Sequence, residues 1–137
     1  MNPRQVAEYM FNQDYFSQWM NIKLIEVREN YCLIEMPIKK EMINGLKTVH
    51  GGITFAFADS ALAFSSNNSG DAAVALNCII NFTKAGKEGD TFRAESILVN
   101  ETRKTAVYDI KITNQNQEMI AKFVGTVYKI GKKITEL

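Results

Sequence analysis

The spacing of apolar residues changes along the chain, and each change marks a predicted element. Asn2 followed by Pro3 is a favoured helix start, and apolar residues then recur at helical spacing as far as about Gln13. We therefore predict a short amphipathic helix. Four large residues follow it, and they either fill the core or cover a substrate pocket: Tyr15, Phe16, Trp19 and Met20.

Two strands are predicted next, because apolar and polar residues begin to alternate. The first runs from Ile22 to Arg28 and the second from Tyr31 to Ile38, with a turn between them. Every other residue from Cys32 to Ile38 is apolar, so these side chains share one face of the second strand. Pro37 cannot donate a ladder hydrogen bond, so it marks the end or the edge of this strand.

The central stretch, from Asn44 to Gly70, has a different composition. It contains the single histidine of the protein, His50, which is followed by a pair of glycines. Residues 53–68 are mostly apolar, contain four alanines and lack glycine and proline, which predicts a helix buried on nearly every side. Asp59 lies in the middle of this run, where an unpaired carboxylate is costly, and this is the first indication of a functional site.

Only strand patterns follow this helix. The run from Ala72 to Phe82 is apolar at most positions, which predicts a strand covered on both faces. Three further strands are predicted, separated by a charged loop and polar turns: Thr91 to Val99, Ala106 to Thr113 and Glu118 to Ile130. This order predicts an α+β fold, with an antiparallel sheet around one apolar helix and a single domain over residues 1–137. The order of the strands within the sheet does not follow from the pattern.

Composition narrows the function classes. The 137 residues are 46% hydrophobic and 23% charged with a formal net charge of +1, which gives no reason to expect nucleic acid or a membrane surface as a partner. The start of the chain lacks the pattern of a signal peptide, and no apolar run is long enough to span a bilayer. Cys32 and Cys78 form no CxxC motif, so we predict reduced thiols, a cytoplasmic location and no metal site.

The glycine pair suggests how a carbonyl group could be bound. Gly51 and Gly52 open the helix, where backbone N–H groups lack intrahelical partners and the helix dipole is positive. Such an N–H can stabilise negative charge on a carbonyl oxygen, and His50 and Asn44 lie in the same loop. Asp59 lies ~12 Å further along the helix at ~1.5 Å per residue, too far to act on the same small group within one subunit. We therefore predict a symmetric dimer that brings the two together.

Each of these residues also has a purely structural interpretation. A single histidine beside glycines is often a hydrogen-bonded structural residue, and a glycine pair alone indicates only a turn. The carboxylate of Asp59 could be satisfied by backbone groups or by Ser60. The functional interpretation becomes the stronger one because all of these residues occur together in one stretch.

A series of short motifs occurs along the chain, from the loop before the central helix to the turn before the last strand. They are Asn44-Gly45, His50-Gly51-Gly52, Phe55, Ala58-Asp59, the KEGD sequence at Lys87 to Asp90, the TAVYDI sequence at Thr105 to Ile110 and the NQNQ turn at Asn114 to Gln117. In these motifs the chain resembles the acyl-CoA thioesterases of the hotdog fold, particularly the phenylacetate-degradation (PaaI-like) group. The resemblance covers almost the whole chain after the first helix.

This resemblance implies a hotdog fold, in which a curved antiparallel sheet wraps around one long central helix. It implies hydrolysis of an acyl-CoA thioester in a homodimer with two interfacial active sites, and we expect dimers to pair further. The Gly51 N–H would polarise the carbonyl, and Asp59 of the partner subunit would be the nucleophile or general base. His50 and Asn44 would shape the loop and bind near the thioester. No cofactor is implied beyond the coenzyme A carried by the substrate.

The substrate is defined less closely. Aryl and medium-chain acyl groups both suit an apolar pocket. Further candidates for substrate or coenzyme A binding are Gly52, Phe55, Lys84, Lys87, Arg103 and Lys104. The chain departs from the family pattern in having no hydroxyl residue at Ala75 or Leu76 to position water, and no proline between Thr83 and Gly86. Two alternatives stay open: a hotdog hydratase or dehydratase of acyl thioesters, and a non-catalytic acyl-CoA binding protein.

Overall fold

Six antiparallel strands and one long helix make up the centre of the protein. The computed structural model describes residues 1–137. The helices are α1 (Pro3–Phe11), α2 (Tyr15–Trp19) and α3 (Gly51–Ser66). The strands are β1 (Lys23–Arg28), β2 (Tyr31–Pro37), β3 (Asp71–Phe82), β4 (Thr91–Glu101), β5 (Thr105–Thr113) and β6 (Met119–Lys133). Two 3-10 turns complete the chain, at Lys40–Met42 and Ile134–Glu136.

The strands form one sheet in the order β1-β2-β4-β5-β6-β3, and every neighbouring pair is antiparallel. Helix α3 contacts five of the six strands, β2 to β6, so the sheet surrounds it. The predicted α+β class and the hotdog arrangement are confirmed. β3 pairs only with β6, although it is third along the chain; neither this crossover nor the rest of the strand order followed from the sequence pattern.

The core lies between α3 and the concave face of the sheet. The predicted inward face of β2 is confirmed, because Cys32, Ile34 and Met36 are fully buried. α3 approaches β6 closely at Gly125, where an added Cβ would lie 2.7 Å from a methyl carbon of Leu62. A side chain at this position would push the helix away from the sheet, so glycine is required by the close approach.

Both predicted helix boundaries have a clear local cause. The Asn2 side chain accepts from the Gln5 amide and the Gln5 side chain accepts from the Asn2 amide, each at 2.9 Å, and Pro3 occupies the first turn of α1. The predicted start of α1 is confirmed. α3 ends at Ser66, and Gly70 then adopts a φ of +98°, a conformation that favours glycine and turns the chain into β3.

The prediction that residues 72–82 form a strand covered on both faces is wrong. β3 is an edge strand, and its apolar side chains are largely exposed: Val74, Leu76, Ile79 and Phe82 are each more than half accessible. An apolar run indicates that a strand is buried, but it does not say whether the cover comes from the same chain. In this chain Ala73, Cys78 and Ile80 pack against the core, and most of the remaining strand is left uncovered.

The aromatic cluster after α1 also differs from the core-filling interpretation. Tyr15, Phe16 and Trp19 are exposed on α2, and only Met20 reaches the core. Because Ser17 is the α2 residue buried against the protein, side chains on the other side of this short helix must face outward. Of the two free cysteines, Cys32 is buried and Cys78 only partly so. None of the helices is long and apolar enough to cross a membrane.

Candidate active site

The loop that leads into α3 is organised by Asn44. Its side-chain oxygen accepts from the Leu46 amide at 2.9 Å and from the Thr48 amide at 3.1 Å, so it closes a tight turn. The Val49 amide then donates to the Gly86 carbonyl at 3.0 Å, which ties this loop to the loop between β3 and β4. Asn44 therefore shapes the approach to the start of α3 with its own side chain.

His50 is the N-cap of α3 and determines which amide stays available. Its Nδ1 accepts from the Gly52 amide at 2.8 Å, and its carbonyl accepts from the amides of Ile53 and Thr54. The Gly51 N–H has no acceptor in the chain. Because Nδ1 is an acceptor, the neutral imidazole carries its proton on Nε2, which is left free to donate. The geometry thus selects Gly51, and not Gly52, as the open donor at the positive end of the helix.

The apolar run predicted that Asp59 lies in a helix buried on nearly every side, but one face of this helix is exposed. Gly52, Phe55 and Asp59 fall on one exposed stripe of α3, whereas the other faces of the helix are buried. The Asp59 carboxylate accepts no hydrogen bond from the chain, and Ser60 is engaged elsewhere, so the structural alternative of a locally satisfied carboxylate does not hold. A carboxylate is tolerated at this position because the stripe is open to solvent in the single chain.

The surroundings of Asp59 favour its protonated form. Apolar atoms on either side of the exposed stripe partly desolvate the carboxylate, and this raises its pKa; the negative charge of Asp14 raises the pKa further. On β3, burial raises the pKa of the Cys78 thiol, and the negative charge of Asp59 raises it further. A carboxylate with a raised pKa is a stronger base than an ordinary aspartate, which suits it to accept a proton from water.

Three residues near the site were not singled out from the sequence pattern. The Phe82 ring lies against Gly51, where an added Cβ would be 3.1 Å from its Cζ. The charge of Asp59 contributes to raising the pKa of the Cys78 thiol on β3, and the charge of Asp14, the N-cap of α2, contributes to raising the pKa of Asp59. Nothing in the sequence pattern indicated that Phe82 and Cys78 lie near the site, because their positions depend on β3 crossing to the sheet edge beside α3. Asp14 could have been recognised, because aspartate is a favoured N-cap residue and it directly precedes the aromatic cluster.

The site residues predicted from sequence do not all lie together within one chain. Asn44, His50, Gly51 and Gly52 are contiguous at the start of α3, and Phe55 continues from them, with its ring 5.3 Å from that of Phe123 in an edge-to-face contact. Asp59 lies eight residues after Gly51 on the same helix.

The four basic candidates divide into two pairs. Lys84 and Lys87 lie in the loop that contacts Val49, near the start of α3. Lys84 forms an ion pair with Glu118, which lowers the pKa of that carboxyl, whereas the Lys87 side chain has no partner. Arg103 and Lys104 lie in the turn between β4 and β5, at the opposite end of the sheet. Within one chain, then, only the first pair is near Gly51.

The arrangement can polarise a carbonyl and supply a base, but at separate points of one chain. Gly51 offers a free N–H at the helix start, and Asp59 offers an unpaired carboxylate on the exposed stripe of α3. No group of three or more His, Cys, Asp or Glu side chains is placed to hold a metal ion.

Comparison with known proteins identifies the family. The model of the thioesterase superfamily matches residues 46–121, which include the start of α3 and Asp59. The chain is also 37% identical to the acyl-coenzyme A thioesterase PaaI of Escherichia coli over 131 residues, 96% of this chain and 94% of that protein. The chain belongs to the thioesterase superfamily. The predicted PaaI-like resemblance is thereby confirmed.

Solved structures of the thioesterase superfamily agree with this assignment. The structure of E. coli PaaI, from the phenylacetic acid degradation operon, matches with a TM-score of 0.94 and 36% identity over 96% of this chain and 95% of that one. A hypothetical thioesterase of Streptococcus pneumoniae, solved with coenzyme A, matches with a TM-score of 0.85 and 26% identity over 91% of this chain and 98% of that one.

Proposed function

We propose that this chain is an acyl-CoA thioesterase, which hydrolyses an acyl-CoA thioester to a free carboxylic acid and coenzyme A. The observation that carries the proposal is that α3 offers both a free Gly51 N–H at its start and an unpaired, partly desolvated Asp59 carboxylate on its exposed stripe. The family supports it, since PaaI is an acyl-coenzyme A thioesterase and the S. pneumoniae relative was solved with coenzyme A.

The site is completed by a second copy of the chain. Gly51 and Asp59 are separated by ~12 Å along one helix, so a thioester held by the first cannot be reached by the second within a protomer. A two-fold axis beside α3 would set two α3 helices antiparallel and bring Gly51 close to Asp59 of the partner subunit. Two sites of this composition would form in each dimer.

The edge strand β3 supports this dimer. Its outer edge is unpaired, it flanks the exposed stripe of α3, and it carries no charged residue after Asp71. Natural proteins protect an open strand edge with charges, proline or a covering element, and β3 has none of these. Its exposed apolar side chains are therefore expected to lie in the interface, with β3 of each subunit paired to the other. Further pairing of dimers stays a prediction.

The chemistry follows from these positions. In the general-base route, Asp59 of the partner subunit takes a proton from water while the water oxygen attacks the thioester carbon. The Gly51 N–H stabilises the resulting oxyanion, and when the intermediate collapses the C–S bond breaks and the thiolate takes the proton back from that carboxyl. In the nucleophilic route the carboxylate itself attacks, expels the thiolate and forms an anhydride that water then hydrolyses.

The remaining candidates bind and orient the substrate. His50 Nε2 is free to donate to the thioester region, Asn44 holds the loop, and the exposed ring of Phe55 lies between Gly51 and Asp59 on α3. Gly52 contributes by allowing close approach rather than by hydrogen bonding, since His50 occupies its N–H. An aryl or medium-chain acyl group fits these apolar surroundings, and the exposed aromatic residues of α2 are available as one wall.

The coenzyme A phosphates require positive charge near the cleft. Lys87, which is unpaired and lies beside the loop of His50, is the first candidate, and Lys84 would need to exchange Glu118 for a phosphate. Arg103 and Lys104 can contribute only from the partner subunit's side of an antiparallel dimer, because they lie at the far end of their own sheet. Both cysteines carry free thiols, as expected for the cytoplasmic location that we propose.

Thiol release from a panel of acyl-CoA esters tests this function. The panel should contain aryl and aliphatic acyl groups, with thiol and free acid both quantified. We expect equal amounts of acid and thiol, and loss of turnover in Asp59→Asn. A product in which the thioester survives and a double bond is hydrated or formed would instead identify a hydratase or dehydratase. Binding of acyl-CoA with turnover at the background rate would identify a non-catalytic binding protein.

A further inference from the structure

The ring of Phe82 occupies the space that a side chain on Gly51 would need. A Cβ added to Gly51 would lie 3.1 Å from Cζ of this ring and 3.5 Å from its Cε1. Glycine therefore allows the ring to approach the backbone at the one residue of the helix start whose N–H is free. Since that N–H belongs to the nitrogen bonded to the same α-carbon, the ring borders the donor.

The backbone that carries this ring is fixed relative to the start of α3. Phe82 is the last residue of β3 and pairs with Ala121 of β6. In the loop that follows, the Gly86 carbonyl accepts from the Val49 amide at 3.0 Å. The segment leading into α3 and the end of β3 are thus held together at two points: this hydrogen bond and the contact of Phe82 with Gly51.

Phe82 contributes little to the hydrophobic core. Its side chain is 56% exposed, and it lies outside both clusters of buried apolar residues. Shortening a side chain in this position removes the neighbour of Gly51 without opening a cavity in the core, where such changes are most costly. An effect on the reaction can therefore be separated from an effect on folding.

We propose that Phe82 is a positioning residue for the Gly51 amide: its ring holds the donor against the end of β3 and keeps water from the side of the amide that it borders. The proposal rests on the function proposed above, in which this N–H stabilises the oxyanion. A donor of this kind acts through being fixed before the reaction begins, and its dipole acts more strongly where water is excluded. A misplacement of ~1 Å can cost about 10² in rate.

Two substitutions of Phe82 vary the contact in steps. Phe82→Ala removes the ring, whereas Phe82→Leu keeps a shorter apolar side chain beside Gly51. We expect Phe82→Ala to lower kcat by about 10–10²-fold with KM close to that of the wild type, and Phe82→Leu to lie between the two. A variant in which KM rises and kcat is unchanged would overturn the proposal, because the ring would then bind substrate instead of positioning the donor.

Tyr128→Ala is the matched control. It removes another partly exposed ring, from the outward face of β6, and should leave kcat and KM unchanged. Thermal unfolding and analytical ultracentrifugation on all three variants confirm that fold and assembly are retained. If Phe82→Ala fails to fold, Phe82→Leu supplies the same comparison, and a kcat equal to that of the wild type in the folded variant would overturn the proposal.

A double substitution tests whether Phe82 acts through Gly51. The Gly51→Pro chain has no N–H at this position to hold in place, so adding Phe82→Ala to it should lower kcat little further. An equal fold-loss in the wild-type and Gly51→Pro backgrounds would show that the ring acts independently of the donor, and would overturn the proposal.

The Gly51 amide can also be followed without any substrate. Because this N–H has no acceptor in the chain, its exchange with water depends on the access of water and not on the opening of a hydrogen bond. Measured by NMR magnetisation transfer from water, the exchange should be faster in Phe82→Ala than in the wild type and unchanged in Tyr128→Ala. An unchanged rate in Phe82→Ala would overturn the proposal. This result stands even if the wild type hydrolyses no thioester, an outcome that would refute the proposed function alone.

Discussion

The Gly51 amide offers a sharp test of the proposed chemistry, because proline can remove its hydrogen with little change to the backbone. Gly51 is the first residue of α3, a position that proline favours. His50 has φ −59° and ψ 130°, which is the extended conformation that a residue before proline adopts. The Gly51 N–H also bonds to nothing in the chain, so Gly51→Pro breaks no intramolecular hydrogen bond.

The expected loss follows from the role of a single oxyanion donor. Removing one such donor costs about 10²–10³ in kcat, or about 2.7–4 kcal/mol of transition-state stabilisation. The free energy of unfolding should change far less. Proline restricts the unfolded chain, which stabilises by about 0.4–1 kcal/mol. Against this, its Cβ comes 3.1 Å from the Phe82 ring, which is more than half exposed and can shift.

Gly51→Ala is the matched control, since it adds the same Cβ but keeps the N–H. The measured quantity is the ratio of kcat between the alanine and proline variants in a thiol-release assay. Thermal unfolding and the Kd for coenzyme A are measured on both proteins to exclude misfolding and a blocked site. A proline variant within about 3-fold of the alanine variant, where loss of a donor should cost at least 10²-fold, would refute the assignment of Gly51 as the donor.

Other predictions follow from Asp59 and from β3. Asp59→Asn should lower kcat by about 10²–10⁴, the range for loss of a general base, while Glu29→Gln, in the turn between β1 and β2, should not. Because the folded-state pKa of Asp59 is raised, its ionised form destabilises the fold above that pKa, so Asp59→Asn should raise Tm at pH 7. This gain should vanish at pH values below the ordinary aspartate pKa, where the wild type is protonated in both states; an equal gain at both pH values would contradict it. Leu76→Lys should shift the protein to monomers in analytical ultracentrifugation and abolish turnover, whereas Leu137→Lys, at another exposed leucine, should do neither.

Much of the fold was predictable because local patterns and the final structure agree. The Asn2–Pro3 helix start, the alternation in β2 and the apolar composition of α3 each depend on neighbouring residues alone. The stretch around His50 was also recognisable, since its residues are adjacent in the chain and the helix start fixes their geometry. These features need no knowledge of tertiary contacts.

Features set by distant parts of the chain could not be predicted in the same way. β3 was expected to be covered because its residues are apolar, yet it forms the edge of the sheet beside α3. The same error placed Asp59 in a buried environment, although it lies on the stripe that this edge leaves open. The proposed dimer would explain both deviations in the same way: the sequence pattern would record burial in the assembly, of which a single chain shows only part.

Complementation between two inactive variants tests the shared site most directly. Gly51→Pro and Asp59→Asn chains carrying different affinity tags are co-expressed, and the heterodimer is isolated through both tags. Its Gly51 and Asp59, each from a different chain, rebuild one complete site out of two, so the heterodimer should recover about half of the wild-type kcat per dimer. A heterodimer as inactive as its two parents would show that each site is contained within one chain, and would contradict the proposed mechanism.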